Sequence, residues 1–254
     1  MQHEFILGSF SHDACYSFVA YAGRSYGTGF GFSDAALAQQ AGPGDPLTYP
    51  DLTFKGLPLV FSENFETGAA ERWEPTDASA WAIIQQGNNH VLNLNKKRSE
   101  FEPPVRSPYN RNLIKDVNVS DFVLDLNLQS THEDYGHRDL CMFFGYQDDA
   151  HLYYVHLGKK ADPHANQIFI VNNADRKSIS IESTPGTDWD DNWHHARIVR
   201  DTASGSIEIF FDNMEKPVMR AEDTTFTWGR VGVGSFDDTG SFDNIMLFGS
   251  PVEK

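Results

Sequence analysis

The chain has 254 residues, 40% hydrophobic and 22% charged, enough for one substantial core or one core with an appendage. Its formal charge of -16 argues against nucleic acid as a partner, and against a polyanionic ligand unless the binding site is locally basic. No apolar run reaches the roughly 18 residues of a membrane-spanning helix, so no membrane span is expected.

Two cysteines, Cys15 and Cys141, make no disulfide framework. Cys141 sits in the apolar run LCMFFG and reads as a small core hydrophobe. The N-terminus shows neither the basic region nor the continuous apolar region of a secretory signal, although a chain whose signal had been removed would look the same. The expected location is extracellular or periplasmic. Nothing in the sequence fixes an oligomeric state.

In chain order, residues 1–56 form a Gly-rich N-terminal extension whose Gly and Pro punctuation opposes long regular elements. Only DAALAQQA suits a short helix there, with Asp34 as its cap. From Leu57 to residue 254 strand signals recur between turns. The runs are LPLVFSENF, WAIIQQG, HVLNLN, FVLDLNLQS, LCMFFGYQ, LYYVHLG, QIFIVNN, SISIES, HHARIVRD, SIEIFFDN, GRVGVGSF and FDNIMLFG. About twelve strands and almost no helix predict an all-β fold of two packed antiparallel sheets or a barrel. In FVLDLNLQS, alternation puts Phe122, Leu124, Leu126 and Leu128 on one face and Val123, Asp125, Asn127 and Gln129 on the other. The basic residues Lys96, Lys97, Arg98, Arg106, Arg111 and Lys115 read as a solvated loop and strand edge.

The stretch Tyr135 to Asn173 is richest in His, Tyr and Arg, and holds four of the ten histidines (His137, His151, His156 and His164), with His132 just before it. Alternation puts Leu152, Tyr154 and His156 on one strand face and Tyr153, Val155 and Leu157 on the other. A face bearing Tyr, His and Arg suits sugar recognition or proton transfer. The pair His194-His195 points to opposite faces, so it is no two-ligand zinc signature. Trp189, Trp193 and Trp228 read as core or rim packing.

ENFETG followed by Trp73, then DNWHHARIVRD and SIEIFFDN, and finally GRVGVGSFDDTGSFDNIMLFG, resembles the concanavalin A-like lectin/glucanase superfamily. Within it the chain is most similar to laminin-G-like domains and to domains of the 3-keto-disaccharide hydrolase type. The resemblance covers about residues 57–250 and implies a two-sheet jelly-roll sandwich with a glycan groove on its concave sheet. It implies a poly- or oligosaccharide partner and no organic cofactor. Substrate contacts are then expected from Arg106, Asp125, Asn127 and Gln129, and from Lys160, His164 and Asn166 in the rim loop ADPHANQ. That loop reads equally as a plain turn.

Cleavage chemistry in such a groove takes one of two forms. A lyase would draw its acid and base from His156 and Tyr154, with Arg138 neutralising a uronate carboxylate. A hydrolase needs two carboxylates across the bond, with Asp125, Asp139 and Glu208 as candidates. The E-x-D-x-x-E signature of laminarinase-like glucanases is absent. A non-catalytic glycan-binding module and a laminin-G-like adhesion domain remain as alternatives. Related carbohydrate modules also imply a structural calcium ion held by Glu66 and Asp243, with Asp237 and Asp238 nearby.

Overall fold

A computed structural model describes residues 49–68 and 70–254, all within one compact unit, Ala41–Lys254. The DAALAQQA segment, its cap Asp34 and Cys15 lie outside the described residues.

The strands are β1 (Tyr49–Phe54), β2 (Leu57–Glu63), β3 (Trp73–Pro75), β4 (Trp81–Gln86), β5 (Asn89–Leu94), β6 (Asn110–Ile114), β7 (Val119–Ser130), β8 (Asp139–Asp148) and β9 (His151–Gly158). They continue as β10 (Gln167–Asn172), β11 (Lys177–Ser178), β12 (Ser180–Ser183), β13 (His194–Arg200), β14 (Ser206–Phe211), β15 (Met219–Glu222), β16 (Arg230–Ser235) and β17 (Gly240–Pro251). Two single turns of 3-10 helix, Ala70–Arg72 and Ala78–Ala80, are the helical elements among the described residues. The expected all-β, two-sheet antiparallel sandwich is what forms.

The larger sheet runs β1-β2-β17-β7-β13-β14-β15-β12, with β5 also on β17 and β4 on β5. The smaller sheet runs β11-β10-β9-β8-β16-β6-β3. Phe122, Leu124, Leu126 and Leu128 of β7 meet Met142, Phe144, Tyr153, Val155 and Leu157 of β8 and β9 in one core. Each such side chain contributes about 1.5–3 kcal/mol by leaving water, and together they hold the sheets face to face.

Each of the twelve predicted runs contains a strand. SISIES divides: Ser178 pairs with Phe169 of β10, while Ser180 pairs with Ala221 of β15, so the chain crosses between sheets at Ile179. Four strands carry no clear sequence signal. β6 reads Asn-Arg-Asn-Leu-Ile, yet all five residues are buried; β3 and β15 are too short for alternation to show. β1 falls inside the segment read as an extension, but it pairs with β2 and so belongs to the sheet.

The outer face of the smaller sheet carries a second apolar cluster of Leu113, Cys141, Phe143, Leu152, Tyr154, Phe169 and Val171, with Val105 and Tyr146 packed against it. Neighbouring β16 offers only glycine at this level: a Cβ on Gly234 would lie 2.0 Å from the Asn110 carbonyl oxygen. Two segments cross here and bond to each other, since the Arg176 amide donates to the Arg106 carbonyl and the Arg106 amide to Asp175 Oδ1. This face is therefore covered rather than open.

Candidate functional site

The strand order brings three loops to one end of the smaller sheet. They are 131–138 before β8, 159–166 between β9 and β10, and 236–239 between β16 and β17. Asp139 opens β8 opposite Gly158, and His156 sits two residues in from that end of β9, paired with Cys141 and Gln167.

Asp139, Asp237 and Asp238 converge so that one carboxylate oxygen from each lies within 4.8 Å of the other two. Two ionised carboxylates at that separation repel by about 3 kcal/mol at an effective dielectric of ~20. Asp139 is fully buried, and Oδ2 accepts from the Phe236 amide at 3.3 Å while Ser235 Oγ donates to Oδ1 at 3.3 Å. Burial raises its pKa, but the His156 imidazole, the Phe236 amide and the Cys141 thiol together hold the carboxyl below its ordinary range. Asp238 is also buried and accepts from Tyr135 Oη at 2.7 Å and from the Asp139 amide at 2.8 Å. Burial, then the Asp139 charge, push its carboxyl up to about 6. Asp237 is exposed and has no hydrogen-bond partner among the described residues. Its pKa is raised by the protein around its carboxyl and then by Asp139.

His156 is 5% exposed, stacks on Phe236 at 6.0 Å with rings nearly parallel, and brings Nε2 to 3.2 Å from Asp139 Oδ2. That approach is off the line of a hydrogen bond, and neither ring nitrogen has a hydrogen-bond partner. The Arg176 guanidinium sits over Phe236 at 4.3 Å and Phe169 at 4.8 Å, and donates from Nη1 to Tyr154 Oη at 2.9 Å. Arg106 is exposed, 5.7 Å from the Phe236 ring.

The rim is aromatic. Tyr135 is 38% exposed and anchored through its hydroxyl on Asp238. Burial, then that carboxylate, hold its phenol well above the ordinary tyrosine range, so the group stays protonated and donating. Its ring lies 4.9 Å from His132 and stacks on His137 at 6.4 Å. His137 Nε2 in turn reaches Asp162 Oδ2 at 2.9 Å, which ties loop 131–138 to loop 159–166.

This arrangement divides the sequence-predicted set. Arg106 and His156 stand at the cluster, and exposed Lys160 and His164 stand on its rim loop. Lys160 packs its side chain against Gly136, next to Tyr135. Asn166 is buried in a left-handed turn (φ 53°) and donates from Nδ2 to the Thr184 carbonyl at 2.8 Å, so it shapes the loop rather than facing a ligand. Asp162 Oδ1 accepts from the amides of His164 and Ala165, the plain turn that the sequence allowed.

Tyr154 is 0% exposed beneath the covering segments, which is incompatible with proton transfer to a substrate. Arg138, just before β8, is directed to Ser130 of β7 and to Asp191 and not to His156. It is 2% exposed and donates to Ser130 Oγ, the Ser130 carbonyl and Asp191 Oδ1 at 2.8–2.9 Å. Its task is to tie β7 to the loop before β13.

Asp125, Asn127 and Gln129 belong to the larger sheet, on the far side of the core from His156. Asp125 is buried between His195 Nε2 at 2.6 Å and Arg197 Nε at 2.5 Å, and Gln129 donates to the Asp191 carbonyl at 2.7 Å. The predicted convergence of Asn127, Arg138, Tyr154 and His156 in one groove therefore does not occur. Asp139 cannot pair with Asp125 or Glu208 across a bond, since it is in one sheet and they are in the other; Asp125 and Glu208 share the larger sheet, where Asp125 is held between His195 and Arg197 and Glu208 faces Arg220.

Glu66 and Asp243 hold the turn at the start of β5. Glu66 accepts from the His90 amide at 2.8 Å and Asp243 from Asn89 Nδ2 at 2.8 Å. Among the described residues, the grouping of three or more ligating side chains is Asp139, Asp237 and Asp238, and it includes neither Glu66 nor Asp243.

Sequence reasoning passed over Tyr135 and Arg176 as functional residues and set Asp237 and Asp238 only beside the calcium pair. The D-D-T-G turn and the Tyr at the head of the histidine-rich stretch were the available signals. Arg176, a single Arg in a polar turn, left none.

Neither a protein-family model nor a curated relative matches the chain by sequence. Solved structures match its architecture. Winged bean acidic lectin, complexed with methyl-α-D-galactose, is 16% identical, with 76% of this chain and 99% of that one covered and a TM-score of 0.50. A Bacillus subtilis protein of galectin-like fold and unknown function is 10% identical, covering 77% and 97%, also at 0.50. A GH43 protein of Bacillus licheniformis is 11% identical at 0.50, covering 70% of this chain and 37% of that one. Likeness at such identities defines architecture alone, and the architecture is a two-sheet antiparallel jelly roll like that of these lectin and galectin-like structures.

Proposed function

We propose that this chain binds a poly- or oligosaccharide at the Tyr135 end of its smaller sheet, in an extracellular or periplasmic setting. The observation that carries the reading is the exposed Tyr135 ring, fixed by its hydroxyl on Asp238, with the exposed Arg106 and Asp237 grouped around Phe236 beside it. An apolar ring face suits the C–H face of a sugar, and charged donors and acceptors at its edge suit hydroxyls. Winged bean acidic lectin, built on the same architecture, is known in complex with a galactoside.

A second reading, cleavage at the same place, is favoured by one feature. The Asp238 carboxyl, pushed up to about 6, titrates close to neutral pH, as a general acid requires, although the group is as buried as Tyr154. The three carboxylates, within 4.8 Å of one another, are closer than the ~5–5.5 Å of retaining and ~6.5–9.5 Å of inverting glycosidase pairs. Binding is thus the better-supported function.

The test is a panel of neutral and anionic polysaccharides, with binding measured by calorimetry and cleavage by new reducing ends and by unsaturated uronate absorbance. The account expects binding that Tyr135→Ala weakens about tenfold or more. No binding to any glycan would overturn it and favour an adhesion domain. Turnover abolished by Asp238→Asn would establish the second reading.

A further inference from the structure

We propose that Asp139, Asp237 and Asp238 form a site for one hard divalent cation of the calcium type. Three carboxylate oxygens within 4.8 Å of one another fit around one ion whose oxygen ligands stand at ~2.3–2.6 Å. Two of these groups are anchored. Asp139 is fixed by Ser235 and the Phe236 amide, and Asp238 by Tyr135 and the Asp139 amide. Each retains acceptor capacity, because a carboxylate oxygen offers two lone pairs. Among the described residues Asp237 has no hydrogen-bond partner, and it is open to solvent, which gives the ion its way in.

Of the nearby basic groups only His156 comes close, and one imidazole facing Asp139 leaves three carboxylates largely uncompensated. The Arg176 guanidinium is directed to Tyr154 and makes no ion pair with any of the three, and the His132 Nε2 contact with Asp238 Oδ1 is long at 3.5 Å.

An independent observation points the same way. His156 is more than nine-tenths buried, is aimed at Asp139, and has no hydrogen bond on either ring nitrogen. Buried polar atoms are normally satisfied, and a water carried on the ion would give Nε2 its partner. The ion would also join β8 to the β16–β17 turn beside Tyr135, so the same site would set the geometry of the saccharide rim. The cation proposal rests on the cluster itself and does not require the saccharide reading.

The experiment uses the full chain after chelation, titrated separately with Ca2+, Mg2+, Mn2+ and Zn2+ in a calorimeter, with thermal unfolding alongside. The expected result is one ion per chain, tightest for Ca2+, with a higher Tm. Asp237→Asn, an exposed change that leaves the buried contacts in place, should weaken binding about tenfold or more, while Glu66→Gln should bind as wild type. Stoichiometric binding of none of the four ions, or binding indifferent to Asp237→Asn, overturns the proposal. So does binding lost in Glu66→Gln alone. Because the metal is measured without sugar, its failure leaves saccharide binding to stand or fall separately.

Discussion

His156 and Asp139 face each other across β9 and β8, with Nε2 and Oδ2 3.2 Å apart, buried beneath a surface where Tyr135, Arg106 and Asp237 meet solvent. The pair is a floor, not a mouth. It sets the charge under the rim, keeping Asp139 ionised while Asp139 in turn pushes Asp238 and Asp237 upward.

These opposite shifts give opposite pH dependences. Asp139 titrates lower folded than unfolded, so its contribution is present above about pH 4 and is lost as pH falls through its folded pKa. Asp238 titrates near 6, above its unfolded value, so the folded state holds its proton more tightly. Its contribution is present at about pH 4 and is lost as pH rises to about 6, by up to roughly 3 kcal/mol. Urea unfolding of wild type and Asp238→Asn at about pH 4 and about pH 7 should show the variant gaining relative stability at the higher pH. A difference that does not change with pH would mean that Asp238 does not titrate in that window.

Tyr154→Phe removes one hydrogen bond from a guanidinium that keeps its two ring contacts. The expected cost is about 1–2 kcal/mol of unfolding free energy, with saccharide affinity changed less than about threefold. A loss of affinity or turnover far beyond that, in a protein of near-normal stability, would restore Tyr154 to a direct role.

Arg138→Ala should cost about 3–5 kcal/mol, because it strands the Ser130 groups that the guanidinium satisfies. Arg138→Lys should recover less than half of the loss, since one ammonium does not replace a planar fork that spans Ser130 and Asp191. Chemical denaturation of the three proteins checks both expectations.

The strands of this fold were legible where side chains alternate, as in Phe122 to Leu128 on β7 and Tyr153 to Leu157 on β9. Alternation also separated Tyr154 and His156 from Tyr153 correctly. It says nothing about which sheet a strand joins, so Asp125, Asn127 and Gln129 were grouped with His156 when a whole core divides them. Nor does it reveal that the Val105–Arg106 and Asp175–Arg176 segments cover the outer face and bury Tyr154. The cluster draws on β8, on the β16–β17 turn and on Tyr135, residues up to 103 positions apart, and only the folded chain brings them together.

The central claim is that saccharide binds at the Tyr135 rim and not across the polar face of β7. Calorimetry with a glycan that binds wild type decides it by comparing Tyr135→Ala and Arg106→Ala with Asn127→Ala and Gln129→Ala. The account predicts that each of the first pair loses about tenfold or more in affinity while the second pair binds as wild type. Loss confined to Asn127→Ala and Gln129→Ala would contradict it and move the site to the other sheet.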